Sequence, residues 1–241
     1  MNILEPLVFW SVTYPVGIVM AGLLLFAYKV GLMEIKGWEN FPHGEGGILL
    51  TPNHPSLLEP VIMVALFYKA YLRHPRLLGP YTLADSKNYT DKWRYALLGS
   101  KILPINRSRK INLEASRNNL KTLSRSSEIL INGGNVIIFG EGGRTGSSKN
   151  FLIGLKGNKI RPFVQGPAVI ALRAKPRIVP VWISIDWFKG FKFGKKIYLC
   201  TLPTKIRLSI GKPMVVEEGE TIDGLNKRME LTLLSLADKA S

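Results

Sequence analysis

His54 and Glu59 are the two residues whose types and spacing point most directly to chemistry; they stand in Asn53-His54-Pro55-Ser56-Leu57-Leu58-Glu59. An imidazole with one nitrogen held by a carboxylate is a general base of fixed tautomer. The carboxylate also stabilises the imidazolium that forms when a proton is taken. Five positions apart on one continuous helix, the two side chains would point roughly 140° from each other, because a turn takes about 3.6 residues. They can meet only if the chain bends between them. The flanks supply a bend, since residues 47–51 read as a buried strand and the apolar run 57–72 as a helix. Pro55 suits the first helical position, where its missing N–H is not needed, and that sets His54 at or just before the N-cap. The plainer alternative is a capping histidine beside a solvated helix carboxylate. No Ser, Thr or Cys stands in a nucleophile motif: G-x-S-x-G is absent, and the one cysteine, Cys200, lies in a Lys-rich, strand-like stretch. The base is therefore expected to act on a substrate hydroxyl.

Two arginines and a glycine-rich loop offer the matching binding chemistry. Arg107 and Arg144 each follow a predicted strand, and the carboxyl ends of strands are where α/β folds hold ligands. A guanidinium presents a planar fork suited to phosphate oxygens. Between them lies Gly140-Glu141-Gly142-Gly143, whose glycines let backbone N–H groups approach an anion. Glu141 can orient Arg144 or bond a ligand hydroxyl. The loop is not a P-loop, because G-x-x-x-x-G-K-[ST] does not occur.

The elements that must position these residues alternate in type. Beyond the first strand and helix, the basic Pro75 region (73–76) reads as a helix stop, and strands are expected at 77–84 and 102–105. A short helix is expected at 90–98. An amphipathic helix at 110–132 is lined by Leu113, Leu120, Leu123 and Leu130 and ended by Gly133-Gly134. Strands at 135–139 and 178–183 bracket a helix near 163–174, and late strands at 197–202 and 205–210 precede a helix from about 221. This order predicts an α/β fold, a mixed, largely parallel sheet flanked by helices. Two parts are expected: an N-terminal apolar membrane-anchoring segment, 1–36, and one α/β domain, 37–241.

Charge and hydropathy name the partners. The chain of 241 residues carries a net charge of +16. Residues 101–213 hold 22 of the 33 Lys and Arg but only 4 of the 17 Asp and Glu, which implies an anionic partner. A hydrophobic share of 46% excludes a disordered chain. The single cysteine fits a reducing compartment. Residues 6–28 contain no charge. As one helix they would be about 34 Å long, enough for a hydrocarbon core of about 30 Å. Pro15, Gly17 and Gly22 interrupt the run, so two helices bent near Pro15 and dipping into one leaflet are the alternative. Lys29 and Lys36 at its inner end place the domain on the cytoplasmic side. A nucleic-acid binder is disfavoured, as no helix-turn-helix, zinc or aromatic-stacking signature accompanies the charge.

Taken together, these stretches resemble the glycerolipid acyltransferase family, typified by the lysophosphatidate (1-acylglycerol-3-phosphate) acyltransferases. The family's N-H-x-x-x-x-D block is similar to residues 53–59, and its second block, which closes on an arginine, to Gly99–Arg107. F-P-E-G-T-R-S resembles Phe139-Gly140-Glu141-Gly142-Gly143-Arg144-Thr145, and V-P-V is Val179-Pro180-Val181. The resemblance implies that His54 deprotonates the free hydroxyl of lysophosphatidate, which attacks the thioester of acyl-CoA or acyl-carrier protein. Glu59 takes the place of the family's aspartate. Arg107, Glu141, Gly142 and Arg144 hold the acceptor's phosphate and glycerol. It implies no cofactor beyond the acyl donor as co-substrate, no metal, and membrane lipids as partners. Glu59 for aspartate, and Gly140 and Gly143 for proline and threonine, depart from the pattern. Glycerol 3-phosphate or another lysolipid is the alternative acceptor, and a catalytically inactive lipid-binding relative the alternative function.

Overall fold

The apolar run after Gly47 becomes the middle of a seven-stranded sheet. The structure, a computed structural model, describes residues 4–56, 58–89, 101–107, 113–147, 149–188, 192–193, 197–198 and 202–240. Its strands are β1 (Met33–Lys36), β2 (Ile48–Pro52), β3 (Tyr81–Asp85), β4 (Ile102–Ile105), β5 (Val136–Ile137), β6 (Leu152–Ile153), β7 (Lys159–Ile160), β8 (Arg177–Phe188), β9 (Lys192–Phe193), β10 (Ile197–Tyr198) and β11 (Leu202–Ile210). Its α-helices are α1 (Leu4–Val8), α2 (Tyr14–Lys29), α3 (Glu59–Leu66), α4 (Tyr68–Arg73), α5 (Pro75–Leu78), α6 (Ser86–Tyr89), α7 (Leu113–Ile131), α8 (Gly166–Ala174) and α9 (Ile222–Ala240).

The main sheet runs β1-β11-β8-β2-β5-β3-β4. Neighbours are parallel except β8 and β11. This is the mixed, largely parallel sheet the sequence predicts. All five residues of β2 are buried, as expected of a parallel strand covered on both faces. One face packs α3, α4 and the inner side of α2 around Ile48, Leu50, Met63 and Phe67. The other packs α7, α8 and α9 around Leu49, Val136, Ile170, Leu225 and Met229. Because β2, β3, β4 and β5 are parallel, the chain leaves all four at one edge. His54, Asp85, Arg107 and the glycine loop gather there.

Several boundaries move from their expected places. The helix expected at 57–72 begins at Glu59 and divides at Phe67 into α3 and α4. Pro55 is therefore outside it, and Pro60 fills the helix-starting role. The strand expected from residue 77 begins only at Tyr81, because α5 starts at Pro75 and the chain then turns at Gly79-Pro80. On α7 the expected leucine stripe holds only in part: Leu130 is buried and Leu123 packs against the core, but Leu113 and Leu120 are 74% and 65% exposed. The buried face is Thr122, Ser126, Ser127 and Leu130. The hydroxyls tolerate burial because each bonds a backbone carbonyl, those of Ser126 and Ser127 one turn back on α7 and that of Thr122 on Pro104. The helix expected at 90–98 lies outside the described residues, as does part of the strand expected at 197–202.

Pro6–Lys29 is one helical stretch, and among the described residues it alone is long and apolar enough to cross a membrane. Near Pro15, where a bend is the alternative expectation, the helix has a π-helical turn, Phe9–Thr13, just before the proline. The Tyr14 N–H reaches back to the Phe9 carbonyl, and the wider turn accommodates a proline that lacks an N–H and crowds the preceding turn. Gly17 and Ala21, four apart on one face, are buried. A Cβ on Gly17 would lie 3.1 Å from the Tyr71 ring, so the small residue lets α2 lie against α4. β1, inside the 1–36 segment, pairs with β11 and ties that segment to the sheet.

Candidate active site

The site is built outward from the end of β2. Asn53, 2% exposed, faces β8: its amide donates to the Ile183 carbonyl at 2.9 Å and its carbonyl accepts from the Ile183 N–H at 2.7 Å. The side chain thus copies a peptide unit and extends the sheet by one residue. The sequence reading assigned Asn53 no role. Its consequence is a fixed start for His54.

His54 is held from every side. Its N–H donates to Glu141 Oε1 at 2.8 Å, and its carbonyl accepts from the Thr145 N–H at 2.8 Å. The ring lies over Phe139, with centroids 4.4 Å apart and planes 31° from parallel. Nδ1 stands 3.0 Å from Glu59 Oε2. A carboxylate only accepts, so Nδ1 carries a proton, and in the neutral ring the lone pair is on Nε2. Nε2 has no hydrogen bond among the described residues, and the side chain is 14% exposed. The bend that the sequence demanded between His54 and Glu59 is present, and the pair is formed.

Glu59 is fully buried as the first residue of α3. Its second oxygen, Oε1, accepts from the Ser56 N–H at 2.8 Å and the Ser56 hydroxyl at 2.6 Å. The Ser56 oxygen in turn accepts from the Leu58 N–H at 3.1 Å. Ser56-x-x-Glu59 has the spacing of a capping box, but α3 begins at Glu59 with Leu58 as its N-cap, so these bonds close the turn that leads into the helix. That signal was readable in the sequence and was missed. It gives the longer carboxylate a physical reason: Glu59 closes the turn before α3 with one oxygen and orients the imidazole with the other.

The glycine loop corrects one expected role. Glu141, expected to contact the acceptor, is fully buried and turned inward. Oε1 accepts from the His54 N–H and, at 2.8 Å, from the Thr145 hydroxyl, while Oε2 accepts from the Arg161 N–H at 2.9 Å. Burial pushes its carboxyl above the usual range, and these donors pull the other way. Glu141 is therefore a brace for the His54 backbone. Gly142 has φ of +60°, and a Cβ there would lie 2.8 Å from Val164 Cγ1. Where the family pattern has proline, a side chain at Gly140 would enter the Phe163 ring. Where it has threonine, a side chain at Gly143 would strike the Arg161 guanidinium and lie 3.3 Å from Arg107 Nη1.

The arginines form the rim. Arg107 is 39% exposed; its Nε and Nη2 each lie 2.9 Å from Asp85 Oδ2, and Nη1 donates to the Gly142 carbonyl at 2.7 Å. These contacts engage three of its five N–H donors, leaving two for an anion. Arg144 is exposed on the same loop. The sequence reading missed Asp85, which sets the direction of Arg107, and Arg161, whose guanidinium shares the space over Gly143. Both stood in stretches without a motif. Together the edge offers an oriented base beside clustered guanidinium groups, an arrangement able to deprotonate a hydroxyl on a molecule that also carries an anion.

Comparisons with known proteins follow this geometry. A family model described as acyltransferase matches residues 32–184. A solved structure, the 1-acyl-sn-glycerophosphate (LPA) acyltransferase PlsC from Thermotoga maritima, is similar with a TM-score of 0.57 and 19% identity, covering 99% of this chain and 84% of that one. At that identity the likeness shows the fold. No curated protein matches the chain.

Proposed function

The chain belongs to the acyltransferase family, and from that premise we propose that it moves a fatty acyl chain from a thioester donor to the free hydroxyl of lysophosphatidate, giving phosphatidate. The observation that carries this reading is the buried Glu59 holding His54 Nδ1 at 3.0 Å, with Nε2 unengaged among the described residues and Arg107 at the same sheet edge. In the step, the acceptor hydroxyl gives its proton to His54 Nε2 as its oxygen attacks the thioester carbonyl. The carbon–sulfur bond breaks, the thiolate leaves, and the imidazolium returns the proton to the sulfur. An oxygen ester and a free thiol result. A thioester is already activated, so the protein's contribution is the oriented base and the placement of the acceptor.

Arg107 and Arg144 are assigned to the acceptor's phosphate, because an anion beside the hydroxyl fits their fork and position. The donor is acyl-CoA or acyl-carrier protein, both anionic and suited to the basic surface. Membrane attachment is assigned to α2: Val19, Leu23 and Phe26 are each more than half exposed, while Gly17 and Ala21 lean on the body. A helix docked along one side favours lying in one leaflet over standing free across the bilayer, with the domain on the cytoplasmic side.

The test is an acceptor panel. Purified protein in phospholipid vesicles is given acyl-CoA or acyl-carrier protein with lysophosphatidate, glycerol 3-phosphate or a lyso-amino-lipid. Fastest transfer to lysophosphatidate is expected. Faster transfer to another acceptor would reassign the substrate. No transfer to any would favour an inactive lipid-binding relative.

A further inference from the structure

Residues 151–160 form a hairpin, β6 and β7 with a tip at Gly154-Leu155-Lys156-Gly157-Asn158, that points a leucine into solvent. Leu155 is 99% exposed and Ile153, two residues earlier, 62%. One exposed leucine is ordinary; this tip is held open. Asp238 of α9 accepts from the Leu155 N–H at 2.8 Å, the Lys156 N–H at 3.0 Å and the Asn158 amide at 3.2 Å. The Gly154 N–H donates to the Asn158 carbonyl at 2.8 Å, and the Gly157 N–H to the Gly154 carbonyl at 3.1 Å. The Lys156 N–H, with the Asn158 amide and the Leu155 N–H, holds the Asp238 carboxyl below the usual range, so it stays an acceptor. The backbone of Leu155 is thus pinned while its side chain has nothing to cover it. Lys156 beside it and Lys159, opposite Ile153 across the hairpin, are exposed.

We infer that the 151–160 hairpin is a second membrane contact, seating Leu155 and Ile153 at the headgroup boundary of an anionic bilayer with the lysines against the lipid phosphates. Three features favour a bilayer over a protein partner. The apolar group protrudes from a turn, which suits a soft interface. Lys156 on the tip and Lys159 opposite Ile153 on β7 outnumber the one carboxylate there, Asp238, and near a negatively charged leaflet each lysine adds attraction. The hairpin also borders the site, since the Arg161 N–H just after it bonds Glu141, the brace of His54. Seating the tip would bring the site's mouth to the surface from which a lipid acceptor is drawn. This goes beyond the catalytic reading and is tested without turnover, so the two can fail separately.

The experiment uses the full chain carrying Leu155→Cys in a Cys200→Ser background, labelled with an environment-sensitive NBD fluorophore, with folding checked by circular dichroism. Vesicles of phosphatidylcholine with phosphatidylglycerol should brighten the label and shift it to the blue. Spin-labelled lipid should quench it, and phosphatidylcholine alone should do less. In parallel, Leu155→Asp should weaken partitioning onto the anionic vesicles roughly tenfold, the loss expected for one leucine's burial. Three outcomes would overturn the inference: a label that stays water-exposed on protein that floats with the vesicles, protein that does not bind vesicles, or a label that responds to soluble acidic carrier protein and not to vesicles.

Discussion

His54 and Arg107 each stand two residues beyond a parallel strand at the same edge of the sheet, yet they are held in different ways. His54 is fixed through its N–H, its carbonyl, its ring face and Nδ1, and the carboxylates that fix it, Glu59 and Glu141, are fully buried. Arg107 is 39% exposed, and its partner Asp85 is 15% exposed. Inside the protein, hydrogen bonds to a charged group contribute about 1.5–3 kcal/mol each, while an exposed ion pair contributes about 0–1 kcal/mol. The contrast fits the roles proposed for them. A base takes up a proton only in the right geometry, whereas a group proposed to capture a phosphate gains from reach and from easy exchange with water.

Changes to the two regions should therefore differ in size and in the kinetic constant they affect. The largest effect among the supporting groups is expected from Glu59→Gln, which removes the charge that stabilises the imidazolium: kcat should fall by about 10³-fold, within the range of general acid–base contributions, in steady-state transfer assays. An unchanged kcat would separate Glu59 from the chemistry. Next is Ser56→Ala, which leaves Glu59 Oε1 with one donor: kcat should fall about tenfold, and thermal unfolding should show about 1 kcal/mol of lost stability from the missing hydroxyl hydrogen bonds. A kcat loss equal to that of Glu59→Gln would mean that Ser56 does more than hold the carboxylate. The smallest effect is expected from Asp85→Asn on the rim: KM for the phosphate acceptor should rise by at most about fivefold, more at low salt than at high, with kcat unchanged. A kcat loss comparable to that of Ser56→Ala would erase the distinction between the two regions.

The same contrast explains what the sequence disclosed. The α/β order of elements and the His54–Glu59 bend were legible because an apolar run, a proline and a fixed spacing are local signals. Arg107 and Arg144 were legible as residues after strands. Glu141 was assigned to the ligand because position in a glycine loop does not reveal which way a side chain turns, and the inward turn depends on Arg161, twenty residues later. Asp85 and Arg161 reach the site only through the sheet order and the return of the hairpin. The leucine stripe on α7 misled in part because serines bonded to their own helix can be buried, and hydropathy counts them as surface. Ser56 is different: its capping-box spacing to Glu59 was local and could have been read.

The measurement that bears most directly on the account is acyl transfer from acyl-CoA to lysophosphatidate by the wild-type protein and by His54→Ala in the same vesicles, with folding of both confirmed by circular dichroism. A folded His54→Ala protein that still binds lysophosphatidate but has lost at least about 10³-fold in kcat is the predicted result. A folded variant that transfers at the wild-type rate would contradict it.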